Sequence, residues 1–344
     1  MANSSAPATS RAIWLLVAWF ALAPSLAMAQ TVLKFATTLP PNNPVVSKYL
    51  DVWAKKVNEA AGSEFQIQVV NGPTIANAVN VWERTVTGVV DIGWGIHGAV
   101  NLPFPKTLIM GLPLLVEEEQ LSVASAALWR LYANGTIADE YKDVRPLALI
   151  GTPVQGMSSK KQLNRLEDMK GLKVRAADKT IADIVTALGG APISVPATEV
   201  YQSLSQGVTE AAVSGFILVV TFKLQEVLHY HLEGLPLGAP AGFVVMNRQS
   251  YEKLTPKGKQ ILDRLSGETM SREFGQFMQD FGISLKNQVR ASKDHHIYSL
   301  APQERQRWIQ TLEGVVRQWA ASTPNGDKTM AAFKAEMQKI SAGK

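Results

Sequence analysis

The sequence predicts an α/β protein of two lobes that are crossed by a long helical segment. Its 344 residues are too many for one ordinary core and suit two lobes. Predicted strands and helices alternate in two separate stretches, which is typical of parallel sheets with right-handed crossovers. From Thr255 to about Lys293, apolar residues recur at helical spacing over a longer run than a normal globular helix contains.

The first alternating stretch predicts three strands with helices between them. Asn43 caps the first of these helices, and Pro44 occupies its first turn. The predicted strands are residues 31–37, 64–70 and 89–94, and the predicted helices are residues 44–57 and 78–87.

The second stretch repeats this pattern between residues 171 and 214. Its predicted strands are residues 171–176, 193–195 and 210–214, and its predicted helices are residues 181–188 and 198–206. Ligands bind beyond the carboxyl ends of parallel strands. The two stretches therefore point to Thr38, Trp94, Arg175 and Ser214 as residues at a binding edge.

The last third of the sequence is mainly helical. Residues 255–293 predict either one straight helix or two helices broken near Gly275 or Gly282. At a rise of about 1.5 Å per residue, a single helix of this length spans more than one lobe. A short strand at residues 297–300 and two amphipathic helices at residues 303–321 and 328–340 follow.

The N-terminus predicts a cleaved secretory leader. A polar start with Arg11 precedes an apolar run at residues 12–22, and Ala27-Met28-Ala29 fits the small-x-small rule for cleavage before Gln30. The alternative is a membrane anchor, but the run is shorter than the roughly 20 residues that span a bilayer. Since the chain has no cysteine, we expect no lipid-anchored form and a mature protein in the periplasm.

The composition excludes several classes of function. Zero cysteines exclude disulfides, thiolate metal sites and a cysteine nucleophile. The formal net charge is +5, but the lysines and arginines are scattered, so we expect no nucleic-acid partner.

The segment Gly93–Gly98 matches the G-x-G-x-x-G pattern of dinucleotide sites. Such a site requires a helix that begins in the motif, and Asn101, Pro103 and Pro105 interrupt any helix here. We therefore expect no cofactor, and instead a loop at a strand end with Trp94 and His97 facing a cleft.

Other catalytic and metal-binding patterns are incomplete. His229-x-His231 offers two ligands on a strand, but no third ligand stands at suitable spacing, so we expect no metal. Ala212 replaces the first glycine of a hydrolase elbow around Ser214. No paired carboxylates suggest an acid and a base, and the chain is not expected to be an enzyme.

The position of Arg175 in the predicted fold makes it the main candidate for binding a ligand. It ends a predicted strand and precedes a helix start, where its planar guanidinium can bind a carboxylate through two parallel hydrogen bonds. The alternatives are an exposed surface arginine or one that pairs with Asp178.

Five segments resemble the solute-binding subunits of TRAP (tripartite ATP-independent periplasmic) transporters, of the DctP type. Residues 166–175 (LEDMKGLKVR) are similar to the family's "LxDLKGLKxR", and residues 199–210 (EVYQSLSQGVTE) are similar to its "EVYxALQxGVVDG". Residues 188–192 (LGGAP), the opening Phe35-Ala36-Thr37 and the turn at Gly72-Pro73 also fit, so the resemblance covers nearly all of the mature chain.

The resemblance implies a two-lobed periplasmic binding protein fold, or Venus flytrap, with a long helix across both lobes. It implies that Arg175 forms the salt bridge to a substrate carboxylate, and that the partners are membrane permease subunits of a TRAP transporter. With it, we predict a leader at residues 1–29, lobe I from residues 30–152 and 241–280, lobe II from residues 153–240 and 281–344, and a monomer.

Two departures from the family pattern shape the expected ligand. Gln155 is the nearest equivalent of a second arginine that some members carry, and Ser214 and Phe216 lie where many members have polar residues. These departures predict a monocarboxylate with an apolar or aromatic body, a small organic acid. The candidate residues on the other lobe are Thr38, Asn42, Asn77, Trp94 and His97. The alternative functions are a secreted enzyme that acts on organic acids and a binding protein that serves a sensor.

Overall fold

The computed structural model describes residues 1–3, 30–100 and 102–343. The predicted apolar leader at residues 12–22 and the motif at residues 27–29 lie outside these residues. Within them, no helix combines the length and the apolar character that crossing a bilayer requires.

The strands of the described chain fall into two sheets. They are β1 (Thr31–Thr37), β2 (Phe65–Asn71), β3 (Ile92–Ile96), β4 (Val144–Gly151), β5 (Gly156–Ser159), β6 (Lys173–Ala176), β7 (Ala191–Ser194), β8 (Ala211–Ser214), β9 (Tyr230–Leu232), β10 (Ala241–Asn247) and β11 (His296–Tyr298).

The α-helices of the described chain cover both sheets. They are α1 (Asp51–Ala61), α2 (Val81–Val86), α3 (Leu121–Ala133), α4 (Lys179–Ala187), α5 (Val200–Ser205), α6 (Phe216–Thr221), α7 (Arg248–Glu252), α8 (Pro256–Arg264), α9 (Gly267–Arg290), α10 (Pro302–Ser322) and α11 (Gly326–Ser341).

Lobe I is built on a sheet of order β2-β1-β3-β10-β4. β1 runs parallel to β2 and β3, whereas β10 is antiparallel to both β3 and β4. The buried side chains of β1, Leu33, Phe35 and Ala36, belong to the large core of this lobe. The carboxyl ends of β1, β2 and β3 therefore meet at one edge.

Lobe II is built on a sheet of order β11-β9-β5-β8-β6-β7. β6 is parallel to β7 and β8, and β5 is antiparallel to β8 and β9. Asp178 caps α4, and its side chain accepts a hydrogen bond from the backbone N–H of Ile181 at 3.0 Å. The apolar residues of α4, Ile181, Ile184 and Val185, share one face and enter the lobe II core.

Two crossing segments, residues 152–155 and 233–240, join the lobes and form the hinge. They are paired by backbone hydrogen bonds, from Thr152 N–H to the Pro240 carbonyl at 2.8 Å and from Gln155 N–H to the Gly238 carbonyl at 2.8 Å. Together with the two sheets, this connection confirms the predicted two-lobed α/β fold.

The long helical segment is divided at a place that the sequence did not suggest. α8 ends at Arg264 and α9 begins at Gly267, whose φ of 76° lies in the left-handed region. The predictions of one straight helix, and of a break near Gly275 or Gly282, are therefore wrong. Both glycines stay helical and instead allow close packing, since a Cβ at Gly282 would lie 2.9 Å from Pro153 Cβ in the hinge.

The helix α9 spans both lobes, as predicted. Its 24 residues extend for about 36 Å. Met270, Phe274 and Met278 pack into the lobe I core, and Arg290 at the far end pairs with Glu233 beside lobe II. The helix thus connects lobe I, the hinge and lobe II.

The last two helices pack on different lobes. α10 packs on α4 and places Trp308 and Leu312 in the lobe II core. α11 packs on α3 and places Phe333 and Ile340 in the lobe I core. The prediction that residues 281–344 belong as a whole to lobe II is therefore wrong for α11, and the other boundaries stay a prediction.

Candidate functional site

The two lobes approach each other where β3 ends and α4 begins. A Cβ at Gly98, just after β3, would lie 3.0 Å from Oδ2 of Asp178, the residue that caps α4. Nearby, a Cβ at Gly111 of lobe I would lie 3.7 Å from Thr180 Cγ2 of lobe II. The cleft between the sheet edges is closed at this end, with the carboxyl ends of β3 and β6 on opposite sides.

Arg175 is buried on lobe II and forms no ion pair with any residue that the structure describes. Val174 and Ala176 point into the lobe II core, so Arg175 alternates to the opposite face of the sheet. Its side chain is 5% exposed, and it is the only Arg, Lys, Asp or Glu among the buried residues of the described chain. Nε donates to the Val195 carbonyl at 3.0 Å, and within the described residues the two Nη atoms have no hydrogen-bond acceptor.

Neither alternative role for Arg175 fits this geometry. The side chain is not exposed, and no ion pair joins it to Asp178 in the described chain. Burial lowers the pKa of Arg175, and the charge of Asp178 opposes this shift only in part. A buried guanidinium without a bonded carboxylate is costly, because charge leaves water without compensation. An anion bound at the Nη atoms removes that cost.

Asp178 belongs to the site, although sequence reasoning considered it only as a partner of Arg175. Burial raises the pKa of its carboxyl group, while backbone N–H groups of Ile181 and Thr180 lower it. It faces Gly98 across the cleft. Its position two residues after β6, as a helix N-cap, is the sequence feature that indicates this location.

Ser214 extends from the same sheet face as Arg175. Arg175 is paired with Ala212 on the adjacent strand β8, and Ser214 lies two positions further along that strand. The side chain is 4% exposed, and its Oγ is buried with no hydrogen-bond partner among the described residues. The structure therefore brings Ser214 and Arg175 to one edge of lobe II.

Gln155 and Phe216 line one cavity beside the hinge. Its volume is about 310 Å³, and it lies between residues 117–119 of lobe I, the hinge and lobe II. The side-chain Oε1 of Gln155 is buried and has no hydrogen-bond partner within residues 30–100 and 102–343, whereas its backbone is part of the hinge pairing. Phe216, the first residue of α6, is half-buried.

Trp94 and Thr38 lie at the carboxyl edge of the lobe I sheet. Cβ atoms at Gly93 and Gly95 would meet Val81 of α2, so the Trp94 side chain projects from the opposite face. Its indole Nε1 is buried and has no hydrogen-bond partner in the part of the chain that the structure describes. Thr38 directly follows β1, is half-buried, and makes no side-chain hydrogen bond within the described residues. Both residues offer polar atoms at this edge.

His97 lies in the lobe I core, and the prediction that it faces the cleft is wrong. Its side chain is 1% exposed, with Nδ1 at 3.0 Å from the Ala241 carbonyl and Nε2 at 2.8 Å from Tyr141 Oη. The rings of Phe104 and Phe243 contact it edge-on at 4.8 and 5.0 Å. Burial lowers the pKa of His97 to about 4, so the ring is neutral at pH 7. Both nitrogens are already bonded, which leaves none for a ligand.

Asn77 and Asn42 lie on the exposed surface of lobe I. Asn77 Oδ1 accepts from the backbone N–H groups of Val79 and Asn80, each at 3.0 Å, and so forms the turn before α2. Asn42 is exposed in the loop after β1. The structure does not bring either residue to Arg175, and their roles stay predictions.

Residues 35–323 match the family model DctP, described as "bacterial extracellular solute-binding protein, family 7". The chain belongs to this family. The resemblance seen in the five sequence segments is therefore confirmed. This DctP-family protein is also similar to the C4-dicarboxylate-binding protein DctB of Bacillus subtilis, with 22% identity over 84% of this chain and 82% of that protein.

Solved structures share the two-lobed fold of this DctP-family protein. A TRAP solute-binding protein from Rhodoferax ferrireducens, in complex with copurified benzoate, is 26% identical and has a TM-score of 0.82, covering 91% of this chain and 99% of the other. A marine metagenome TRAP solute-binding protein specific for aromatic acid ligands is 23% identical and has a TM-score of 0.83, covering 90% and 99%.

Proposed function

We propose that this protein captures a monocarboxylate with an apolar or aromatic body and delivers it to the membrane subunits of a TRAP transporter. The observation that carries the proposal is Arg175, a buried cation whose two Nη atoms lack a protein acceptor in the described chain. A carboxylate there accepts two parallel charge-assisted hydrogen bonds, which fix both its charge and its orientation.

The side chains assigned to the site favour one carboxylate rather than two, since the cavity beside the hinge also contains Glu117, Glu118 and Glu119. Gln155 and Ser214 contribute neutral polar atoms, and Phe216 and Trp94 contribute aromatic surface. A second carboxylate in this environment lacks a second buried cation among the described residues. The benzoate complex of the Rhodoferax ferrireducens protein supports an aromatic acid, whereas the name of the Bacillus subtilis relative supports a dicarboxylate.

Binding is coupled to closure of the lobes about the hinge. The acid first meets Arg175 on lobe II, and Thr38 and Trp94 on lobe I complete its surroundings when the cleft shuts. Exclusion of water strengthens the ion pair. The ligand favours the closed state only through the additional contacts that it makes there. The membrane subunits then recognise the closed, loaded protein in the periplasm.

A thermal-shift screen over mono- and dicarboxylic acids, aliphatic and aromatic, tests this function. Since a ligand that binds only the folded state stabilises it by about 2.7 kcal/mol at 100 times its Kd, we expect aromatic monocarboxylates to raise Tm by several degrees. Stabilisation by dicarboxylates alone contradicts the ligand class. If the acid is recovered chemically unchanged after incubation, the protein binds it and does not act on it as an enzyme. Reconstitution with TRAP permease subunits in vesicles distinguishes transport from sensing.

A further inference from the structure

We propose that Leu114 forms a contact between the lobes that keeps the ligand-free protein near its closed arrangement. Leu114 belongs to lobe I by its neighbours in the chain, since Met110, Leu112 and Val116 are buried in the lobe I core. Its own side chain, however, packs against the core of lobe II. The inference rests on the hinge closure of the proposed function and does not depend on which acid is bound.

The segment of lobe I that carries Leu114, residues 110–114, is attached to the hinge by backbone hydrogen bonds. The N–H of Ala239 donates to the Met110 carbonyl at 2.8 Å, and the N–H of Leu114 donates to the Pro236 carbonyl at 3.0 Å. One bond lies at each end of the segment. Its position relative to the hinge is therefore fixed along its whole length.

The two backbones also touch between these hydrogen bonds. A Cβ at Gly238 of the hinge would lie 2.1 Å from the carbonyl oxygen of Gly111. Gly238 has a φ of 104°, which a residue with a side chain rarely adopts. This contact leaves no space for residues 110–114 to shift against the hinge.

The backbone of Leu114 has a conformation that leucine rarely adopts. Its φ is 66°, in the left-handed region, where the Cβ approaches the following carbonyl oxygen too closely. Pro113 and Leu114 form a turn, and proline followed by a positive φ is the order found in type II turns. Glycine or asparagine is the usual residue at the second of these positions. Because backbone strain persists where a function requires it, the leucine indicates a role for its side chain.

The turn directs two successive leucine side chains to different lobes. Leu114 packs on lobe II, and it lines a cavity of about 400 Å³ together with Ile309 and Val316 of α10. Leu115 packs against the lobe I core instead. Both side chains are half-buried. Leu114 thus gives lobe I an apolar contact on lobe II, beside the hinge.

This contact favours the arrangement in which the two lobes are close together. Movement of α10 away from residues 114–117 exposes the apolar surfaces of Leu114 and Ile309 to water, which is unfavourable. Leu114 cannot move with lobe II, because its segment is bonded to the hinge and packed on lobe I. A ligand binds more tightly when the competent form is already populated. The Leu114 side chain therefore raises the apparent affinity without touching the acid.

Distance measurements on the ligand-free protein test this contact directly. Because the chain has no cysteine, Lys55→Cys in α1 and Lys161→Cys after β5 place one spin label on an exposed position of each lobe. We expect Leu114→Ala to broaden the distance distribution between the labels and to add separations that the wild type lacks. Leu115→Ala is the matched control and keeps the wild-type distribution. An unchanged distribution in Leu114→Ala overturns the proposal.

Affinities measured by calorimetry give a second test. Leu114→Ala is expected to weaken every acid that the wild type binds by one common factor of about fivefold, since the closed fraction falls and no ligand contact is lost. Leu115→Ala binds each acid as the wild type does. A factor that differs from one acid to another contradicts the proposal, because it assigns Leu114 to the ligand contacts.

A glycine variant tests the strain at this position. Leu114→Gly and Leu114→Ala both remove the apolar contact, but only glycine adopts a positive φ without strain. We expect Leu114→Gly to melt at a higher temperature than Leu114→Ala, which reverses the usual order of the two residues. The usual order would show that the turn is not left-handed in solution and would overturn the argument from strain.

The two kinds of measurement separate this contact from the proposed function. If the wild type binds none of the acids, the proposed function falls, and the label distances still decide the role of Leu114. If the acids bind and the label distances are the same in Leu114→Ala and the wild type, the contact is overturned and the function stands.

Discussion

His97 and Arg175 form an instructive pair, one on each lobe. Each lies at the carboxyl end of a strand, and each is at least 95% buried, with exposures of 1% and 5%. Both ring nitrogens of His97 have partners in lobe I, Ala241 and Tyr141. Arg175 has a partner only for Nε, and its Nη atoms face no protein acceptor in the described residues.

This difference teaches that position at a strand end does not by itself define a binding residue. The same edge holds side chains whose hydrogen bonds are all made within the core and side chains whose polar atoms have no protein partner. A buried polar atom without a partner is the stronger indicator, because natural proteins seldom leave one unsatisfied. By this criterion the site includes Ser214 and Trp94 and excludes His97, and Arg175 joins them as a buried charge whose Nη atoms have no acceptor in the described residues.

Substitution of Arg175 has the largest expected effect on binding. Arg175→Ala removes the charged partner of a buried carboxylate, so we expect affinity to fall at least 100-fold, on the scale of 3–5 kcal/mol for breaking a buried pair. Arg175→Lys retains the charge but loses the bidentate geometry, and weakens binding less. Calorimetric titration measures both. The ligand-free Tm stays equal or rises, and wild-type affinity in Arg175→Ala is incompatible with the proposed role.

His97→Phe is expected to lower the stability of the fold and to leave ligand affinity nearly unchanged. The phenyl ring keeps the aromatic packing but leaves the Ala241 carbonyl and Tyr141 Oη without their partner. Urea unfolding at pH 7 will therefore show a loss of about 2–3 kcal/mol, while ligand affinity changes less than threefold. A large loss of affinity with unchanged stability would show that His97 belongs to the binding site and would contradict its assignment to the core.

The loss of stability in His97→Phe depends on pH. The pKa of His97 is about 4 in the folded protein and 6.5 when unfolded, so the unfolded chain binds more protons between these values. The contribution of His97 to the free energy of unfolding of the wild type therefore falls as the pH decreases from 6.5 to 4. The decrease is up to about 1.4 kcal/mol per pH unit. The difference between wild type and His97→Phe thus shrinks by about 2 kcal/mol at pH 4.5. A constant difference across this range contradicts the assignment.

Gly98→Val tests whether the lobes close at the contact between Gly98 and Asp178, and it has the smallest expected effect of these substitutions. A side chain at Gly98 collides with Asp178 only when the lobes are closed, since the two residues lie on different lobes. We expect affinity to fall about tenfold with Arg175 intact, and small-angle scattering to show a more open ligand-bound protein. Gly314→Val in α10 is the control, because a Cβ at Gly314 has no neighbour within 4 Å. Equal affinities in the two variants refute closure at this contact.

Local patterns in the sequence predicted the lobes well. The alternation of strands and helices and the helix start at Thr255 both depend on neighbours in the chain, and the structure confirms them. The break at Gly267 was missed because the two more conspicuous glycines, Gly275 and Gly282, serve packing rather than a change of direction.

Contacts between distant segments could not be predicted in the same way. Nothing local to His97 indicates that Tyr141 and Ala241, 44 and 144 residues away, complete its hydrogen bonds. The return of α11 to lobe I is decided by Phe333 and Ile340 packing on α3, which an amphipathic pattern does not specify.

A crystal structure of the protein with bound benzoate tests the central claim most directly. The account predicts both carboxylate oxygens at about 2.7–2.9 Å from the two Nη atoms of Arg175, with the lobes closed over the ring. A ligand bound elsewhere in the closed protein, or an Arg175 side chain that faces bulk solvent beside a bound acid, contradicts it.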